Sequence, residues 1–399
     1  MQGTDVTRHD PSPEVGRRRL LKWVAGGALA ATGAGLGAIR LASDSDRPKL
    51  PGMQLSATNF GVDSLEVPLD AEHLTRLGGG RWQTQQLPTS THSMVALTWA
   101  RSSRPPAIRI RSRRDGSWQP WRPLPVLEDM PDLGSAERTD VTGTDLVWVG
   151  AADGVQVDVQ GSRPDGLTLV LLHPVRLRGR TAFKEGTGTT DTTRTRAPRP
   201  ELLRRGDWGA NKKWRNGGPY YNDTIKQVHV HHTANSNDYS RDDVPGLIRG
   251  MYRYHTHNLG WSDIGYNFLV DRFGRTWIGR AGGARRPVRG AHTLGFNGTS
   301  TGVSVIGNFE TATPNRKIIR AIAAVAAWKL DHYDRNPTGH TRVTSEGSDK
   351  YAAGKRVRLP VIDGHRDTND TACPGQHLYD ALPRIRRRTK AIMDSYPAS

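Results

Sequence analysis

The chain is poor in several residue types, above all cysteine. Its 399 residues include one cysteine, Cys373, so no disulfide can form within the chain. Hydrophobic residues make up 35% of the composition and aromatic residues 7%, and no strongly apolar run reaches the ~20 residues of a stable membrane span. The fold must therefore be stabilised by buried cores, and by any metal ion that it binds, rather than by cross-links.

Acidic residues are also scarce. Asp and Glu number 39 against 57 Lys and Arg, which gives a formal net charge of +18 and a pI near 10.4. Such a molecule is attracted to anionic surfaces, among them nucleic acid, anionic lipid and acidic cell-wall polymers. The arginines are dispersed, and a solvated surface compatible with export explains them at least as well as nucleic-acid binding does. Charge alone does not choose among these surfaces. Because the chain also carries a predicted export signal, described next, we expect no nucleic acid, and an anionic cell wall suits the charge.

The N-terminal segment, residues 1–42, has the features of an export signal. Arg17 and Arg18 precede a mildly apolar run rich in Ala and Gly, Trp23–Ile39, which resembles a twin-arginine signal. No cysteine follows it, which argues against a lipoprotein anchor. No clean cleavage site follows either, so removal of the segment and its retention as an anchor both stay open, as does a basic tail without a targeting role. We expect export in folded form, to the cell wall or beyond the cell.

Residues 53–175 have the pattern of an all-β domain. Short alternating runs are separated by Asp-Gly turn signals, as in a β-sandwich. Three of these runs are Ser93–Trp99, Ala107–Arg111 and Gly154–Val159. Trp118, Trp121 and Trp148 are candidates for a carbohydrate platform, although packing in the core or at an edge is the favoured interpretation. We assign this domain no chemistry.

The chain is long enough for two domains, and a linker separates them. Residues 178–200 lose apolar residues and gain Thr, Gly, Arg and Pro, the composition of an extended, solvated segment. From residue 201 to residue 390, strand and helix patterns alternate, which predicts an α/β domain with a mixed sheet flanked by helices. Ten of the fourteen histidines lie between His229 and His377, so the chemistry is predicted to lie here.

Apolar periodicity predicts the elements of this second domain. Asp243–Tyr254 has the spacing of one helix face. Thr313 is predicted to cap a further helix that has Pro314 at its first position and runs to about Tyr333. Five segments have the pattern of strands: Ile225–His231, Tyr266–Asp271, Arg275–Gly279, Gly302–Asn308 and Leu359–Ile362.

Histidines of the first strand and the lone cysteine together suggest a metal site. Strand alternation places His229 and His231 on one face, and the pattern alone does not choose between them. His365 follows a short apolar strand, and Cys373 lies eight positions later (373 − 365 = 8). A set of two histidines and one cysteine leaves the fourth tetrahedral position of zinc for water or substrate, the arrangement of a catalytic site. Hydrolysis is therefore the leading hypothesis.

Five motifs follow one another in this domain: Trp208–Ala210, His231–Thr233, Asp263–Phe268, Gly302–Phe309 and Gly364–Gly375. Their order and approximate spacing resemble those of peptidoglycan recognition proteins, which are similar to phage-type N-acetylmuramoyl-L-alanine amidases. The resemblance covers roughly residues 200–390 and rests on independent segments, so it is specific.

The resemblance implies roles for nine residues. His231, His365 and Cys373 would hold Zn²⁺, with His231 preferred over His229 because the family ligand is the first histidine of the His-His-Thr run. Tyr266 matches the family's catalytic tyrosine, and Thr371 matches a position near the reaction centre. Positions that line the family's substrate groove are matched by His232, His255, His292 and Asn297. Independently of the resemblance, His229 lies on the same strand face as His231 and is a candidate to help orient the ligands.

The implied activity is zinc-dependent hydrolysis of the amide bond between N-acetylmuramic acid and L-alanine in peptidoglycan. No carboxylate stands out as a general base. The alternative is a non-catalytic peptidoglycan-binding or sensing protein on the same fold, although recognition-only members lack the zinc cysteine that this chain keeps. Between Gly279 and His292 the chain departs from the Gly-Trp pair that many relatives carry, so the preferred stem peptide stays open.

Overall fold

A computed structural model describes residues 52–58, 61–177 and 196–396. The predicted export signal and residues 178–195 of the predicted linker lie outside these ranges. None of the helices in the described stretches combines the length and the apolarity that crossing a bilayer requires.

The first domain is all-β, as predicted. Its ten strands are β1 (Val62–Pro68), β2 (Leu74–Gly78), β3 (Arg81–Thr84), β4 (Leu87–Ala100), β5 (Ala107–Arg114), β6 (Ser117–Trp118), β7 (Arg122–Leu124), β8 (Val141–Gly143), β9 (Val147–Gln160) and β10 (Thr168–Pro174). Hydrogen bonds link them into one network with the main order β1-β10-β4-β9-β3-β2. The 14-residue strands β4 and β9 pair with different strands along their lengths. They thereby join all ten strands, so the domain does not consist of two separate sheets. Alternating residues such as Val95, Leu97 and Val157 form the core.

The second domain is α/β with a mixed sheet, also as predicted. Its strands are β11 (Gln227–His232), β12 (Phe268–Val270), β13 (Thr276–Ile278), β14 (Ser300–Val305), β15 (His340–Thr344), β16 (Arg356–Pro360) and β17 (Ile362–Gly364). Its helices are α1 (Arg205–Trp208), α2 (Val244–Arg253), α3 (Arg316–His332), α4 (Gln376–Asp380) and α5 (Leu382–Asp394). Five strands form the sheet in the order β13-β12-β14-β11-β17, parallel except for β13, while β15 and β16 form a separate hairpin.

Two local predictions need correction. Asn315, not Thr313, caps α3, because its side-chain oxygen accepts from the backbone N–H groups of Lys317 and Ile318. Pro314 therefore precedes the cap. The predicted strand Leu359–Ile362 is divided between β16, which belongs to the hairpin, and β17, which pairs with β11.

Strand β11 is buried on both faces, and each face has its own environment. Val228 and Val230 pack with residues of α3 and α5 in one apolar cluster. His229 and His231 point to the other face, as the period of two requires. On that face His231 lies close to Asp129 of the first domain, whereas His229 pairs with Asp363 of the neighbouring strand β17.

The β domain packs directly against α2. Met94 of β4 and Leu172 of β10 share a buried cluster with Leu247, Ile248 and Met251 of α2. Close approach is possible because α2 carries glycine at positions 246 and 250, where a Cβ atom would lie 3.0 Å from Pro174 Cβ and 2.2 Å from Met94 Sδ, respectively. Residues from Leu50 onward accordingly form one unit.

Candidate metal centre

Three predicted ligands converge near the carboxyl ends of strands β11 and β17. His231 lies near the end of β11, and His365 begins a short 3₁₀ turn directly after the parallel neighbour β17. Cys373 lies in the loop that follows. The Nδ1 atom of His231 is 3.8 Å from the Sγ atom of Cys373, and the ligand atoms of all three residues lie within 4.8 Å of one another. All three side chains are buried, so the geometry suits a metal ion.

A fourth side chain enters the centre from the β domain. The Oδ1 atom of Asp129 lies 3.2 Å from His231 Nδ1 and 3.5 Å from His365 Nδ1. Its Oδ2 atom accepts a 2.5 Å hydrogen bond from the Tyr266 hydroxyl. The β domain, to which the sequence analysis assigned no chemistry, therefore supplies a carboxylate that lies beside the two predicted histidine ligands.

The donor set fits zinc. Bond lengths of about 2.0–2.3 Å to nitrogen, oxygen and sulfur place neighbouring donors of a tetrahedron roughly 3.3–3.6 Å apart. Asp129 Oδ1 and both nitrogens of His365 are buried without a hydrogen-bond partner. Buried polar atoms are seldom left unpaired. Unpaired atoms that face one another at these distances are expected where an ion lies between them.

Burial controls the charge of these groups. It lowers the pKa of His231 well below the usual value and that of His365 to about 3, so both imidazoles are neutral and able to bind a metal. It raises the pKa of the Cys373 thiol well above its usual value and that of Asp129 to about 6. Because a metal ligand must be the thiolate, a cation at the centre would have to compensate for this desolvation.

Comparison with known proteins identifies the family. Residues 221–376 match the sequence profile of N-acetylmuramoyl-L-alanine amidase, and residues 56–199 match that of the Rv3811 N-terminal galactose-binding domain-like family. Peptidoglycan-recognition protein 1 of Holotrichia diomphalia is 30% identical over 180 residues, which are 45% of this chain and 78% of that protein. The chain belongs to the peptidoglycan recognition protein and amidase family.

Relatives of this chain include proteins named as amidases and proteins named as peptidoglycan recognition proteins. N-acetylmuramoyl-L-alanine amidase of Homo sapiens is 32% identical over 159 residues, which are 39% of this chain and 23% of that protein. The solved structure of wild-type Drosophila PGRP-LB is 27% identical, covers 46% of this chain and 92% of its own, and has a TM-score of 0.36. Family membership thus leaves open whether a given member hydrolyses peptidoglycan or only binds it.

Within this peptidoglycan recognition domain, His292 supports His231. The Nε2 atom of His231 lies 3.1 Å from the Nδ1 atom of His292, which leaves His231 Nδ1 facing the centre. The His292 ring fits against β14 because residue 302 is glycine, where a Cβ atom would lie 2.5 Å from the ring. Asn297 accepts hydrogen bonds from the backbone of His292 and Thr293. His292 therefore has a positioning role beside the ligands.

His229 is separate from the three converging donors. Its Nδ1 atom is hydrogen-bonded to the buried carboxylate of Asp363 in β17, and its ring lies 6.0 Å from that of His292. The strand pattern could not distinguish it from His231. The structure separates the two, because His229 pairs with the neighbouring strand whereas His231 faces His365 and Cys373.

Two of the predicted groove residues are buried in the domain interior. His232 Nδ1 accepts from the backbone N–H of Phe309, and its own backbone N–H lies 3.4 Å from Cys373 Sγ. His255 Nδ1 accepts from the backbone N–H of Gly265, and its ring packs 4.5 Å from that of Trp261. Burial lowers the pKa of both imidazoles to about 3. In this structure they support the site rather than line an open groove.

Thr371 and Tyr266 lie at the centre, as the family resemblance implies. The Thr371 hydroxyl accepts from the backbone N–H of Cys373, at 2.9 Å, and its side chain also hydrogen-bonds to Glu128 of the β domain. The Tyr266 ring lies 5.8 Å from that of His231. Both predicted catalytic residues thus contact the β domain.

The segment that brings Asp129 to the centre is the acidic loop, residues 125–140, between β7 and β8. Asp132 accepts from the backbone N–H of Gly295 and the side chain of Asn297, and it pairs with Arg289 at 2.7 Å. Glu137 pairs with Arg280, and both side chains are buried. These contacts escaped the sequence analysis, although an acidic cluster in so basic a chain was a usable signal.

Proposed function

We propose that the chain is a zinc-dependent N-acetylmuramoyl-L-alanine amidase that cuts the bond between N-acetylmuramic acid and L-alanine in peptidoglycan. The observation that carries the proposal is the convergence of His231, His365 and Cys373, whose donor atoms lie within 4.8 Å of one another in a buried site. The family membership supports the same activity. The chain's charge of +18 suits work at an anionic cell wall, to which we expect it to be exported.

His231, His365 and Cys373 would hold the zinc ion. When bound, zinc lowers the pKa of water from about 15.7 toward ~7 and polarises a neighbouring carbonyl. His292 contacts the Nε2 atom of His231, which leaves the Nδ1 atom facing Cys373 and free to bind the metal. The two neutral imidazoles are held in the protonation state that coordination requires.

Tyr266 would stabilise the charge that develops on the substrate oxygen. Burial raises the pKa of its hydroxyl well above 10, so the group remains a proton donor. A donor of this kind typically contributes about 3–4 kcal/mol to the transition state. In this structure its hydroxyl donates to Asp129, so that bond would have to break before the hydroxyl could donate to a substrate oxygen. Thr371 would orient the water or the carbonyl from its position two residues before Cys373 in the same loop.

A non-catalytic peptidoglycan-binding protein is the second candidate, and one observation favours it. Asp129 Oδ1 lies 3.2 Å and 3.5 Å from the Nδ1 atoms of His231 and His365, and in a site without turnover nothing would need to displace it. The retained Cys373 argues for catalysis, since recognition without hydrolysis does not require a thiolate ligand.

The first prediction separates these candidates. Cys373→Ser should lose bound zinc and abolish the release of free stem peptide from peptidoglycan, because a hydroxyl is a poor replacement for a thiolate ligand. Zinc content by elemental analysis and peptide release by chromatography are measured on the same samples, with circular dichroism as a check of folding. His340→Ala, at an exposed histidine of β15, is the control and should behave as wild type.

Equal release by wild type and Cys373→Ser, or equal release before and after treatment with a chelator, would reject the proposed amidase. Peptidoglycan binding by both proteins without any release would favour the recognition protein.

A further inference from the structure

We propose that Asp129 is a fourth protein ligand of the metal, donated by the β domain, and that it holds the centre in a closed resting state. The inference rests on the proposed zinc centre. It gives the β domain a function that its fold alone does not indicate: its acidic loop occupies the catalytic site of its own chain.

The position of one oxygen carries the proposal. Asp129 Oδ1 is 3.2 Å and 3.5 Å from the two imidazole Nδ1 atoms, within about 0.2 Å of the donor spacing of a tetrahedral zinc site. It is buried, and it has no hydrogen-bond partner. A carboxylate oxygen that faced two neutral imidazoles merely by packing would remain unsatisfied at a cost of about 1–3 kcal/mol or more. A cation bound by the carboxylate and both imidazoles would explain both the short distances and the missing hydrogen-bond partner.

The other carboxylate oxygen fixes the orientation of the side chain. Tyr266 donates to Oδ2 at 2.5 Å, so Oδ1 is directed at the donors of His231 and His365. This is the arrangement expected of a ligating carboxylate, whose second oxygen is hydrogen-bonded by a neighbouring residue. The same bond occupies the tyrosine that the proposed reaction needs.

The rest of the acidic loop is anchored around the centre. Asp132 binds Arg289, Asn297 and the Gly295 N–H, and Glu137 binds Arg280. Each of these partners belongs to the α/β domain. Asp129 is therefore held by contacts on its C-terminal side, and it is not a freely moving surface residue.

The closed centre excludes substrate. His231, His365, Tyr266 and Cys373 are all buried beneath the loop. Hydrolysis would require the Asp129 carboxylate to leave the fourth position, so that water and the scissile carbonyl can enter and the Tyr266 hydroxyl becomes available. A chain exported in folded form would then carry a centre that is protected until the loop is displaced.

Asp129 could instead serve as the general base that the sequence did not supply. A base must face a water molecule or the proton that it removes. The Oδ1 atom faces two imidazole nitrogens, as a metal ligand would, and the Oδ2 atom accepts from Tyr266. Neither oxygen is left to face a water molecule. The experiment below distinguishes the two roles by the sign of the effect.

The test compares wild type, Asp129→Ala and Asp140→Ala, the last at an exposed aspartate of the same loop. Each protein is loaded with Co²⁺, and its visible spectrum is recorded with and without azide. Wild type and Asp140→Ala should give one spectrum that azide does not alter, because four protein ligands leave no position free. Asp129→Ala should give a different spectrum that shifts with azide, and its affinity for Zn²⁺ should fall at least about tenfold. Its release of stem peptide from soluble muropeptides should rise severalfold.

Three results would count against the inference. If azide shifts the wild-type spectrum as it shifts that of Asp129→Ala, the fourth position is open and Asp129 is not a ligand. If Asp129→Ala keeps wild-type metal affinity but loses hydrolysis, Asp129 is a catalytic base and the amidase proposal survives. If no variant binds Co²⁺ or Zn²⁺, the proposed zinc centre itself fails.

Discussion

Two of the regions through which the β domain contacts the α/β domain have opposite character. The first is the apolar patch, in which Met94 and Leu172 pack on Leu247, Ile248 and Met251 of α2. The second is the acidic loop, whose carboxylates bind arginines, amides and the metal donors. Burial of apolar area is non-directional and insensitive to charge. Ion pairs, in contrast, depend on both partners and on what else competes for them.

The difference suggests that the two contacts have separate functions. The apolar patch attaches the β domain permanently, because separating it would expose a buried cluster to water. Leu127, at the start of the acidic loop, also belongs to that cluster, so we expect a competing ligand of the same charge to displace the loop from Asp129 onward while Leu127 stays packed. We therefore expect the loop to open while the domains stay attached, and the following predictions test whether the two contacts are independent.

The largest effect is expected from Glu137→Gln. The substitution keeps the size of the side chain but removes the charge that is paired with the buried Arg280. Removing one partner of a buried pair costs about 3–5 kcal/mol, and the lower end applies because Arg280 keeps hydrogen bonds to Ser262 and to the Arg289 carbonyl. Hydrogen exchange in residues 125–140 should accelerate, and hydrolysis of soluble muropeptides should rise.

The control for that change is Glu72→Gln, at an exposed glutamate of the β domain. It should alter neither exchange nor activity. Unchanged protection of the acidic loop in Glu137→Gln would mean that the loop is held by something other than its charges. The proposed contrast between the apolar patch and the acidic loop would then be wrong.

The sequence predicted the α/β site better than the loop that covers it. His231, His365 and Cys373 belong to local motifs whose strand and loop contexts can be recognised within one domain. The choice between His229 and His231 required the family resemblance, because both lie on the same face of β11. The structure adds the physical difference, which is the pairing of His229 with Asp363 across β17.

Asp129 could not be identified in this way, because its partners lie in another domain beyond the linker. A segment with Pro125, Pro131, Gly134 and several acids has the composition of an ordinary solvated loop. Only tertiary packing brings it to the centre. The available signal was compositional: Glu128, Asp129, Asp132 and Glu137 concentrate negative charge within ten residues of a chain whose net charge is +18.

A smaller effect is expected from Gly250→Val, which tests the apolar patch. A Cβ atom at residue 250 would lie 2.2 Å from the buried Met94 Sδ, so either the Met94 side chain or the packing of β4 against α2 must shift. Overpacking of this kind typically costs about 1–3 kcal/mol. The free energy of unfolding from urea titration should fall by about 2 kcal/mol, whereas hydrogen exchange in the acidic loop should stay slow.

Gly206→Val is the matched control, because an added Cβ atom at this exposed helical glycine meets no other atom within 4 Å. Its unfolding free energy should remain within about 0.5 kcal/mol of wild type. Should Gly250→Val open the acidic loop as far as Glu137→Gln does, the two contacts would form one cooperative unit.

The smallest effect is expected from a reversible tether at the end of the acidic loop, Thr139→Cys with Gly260→Cys. A Cβ atom built at residue 260 lies 3.7 Å from Thr139 Cβ, within the range of about 3.5–4.5 Å found in disulfides. The tether should keep the loop at a high effective concentration beside the centre and so favour the closed state. Muropeptide hydrolysis should be at least about tenfold slower in the oxidised protein than after reduction, which corresponds to ~1.4 kcal/mol. Thr139→Cys alone should respond to neither treatment, and equal rates for the oxidised and reduced double variant would mean that Asp129 leaves the centre without withdrawal of the rest of the loop.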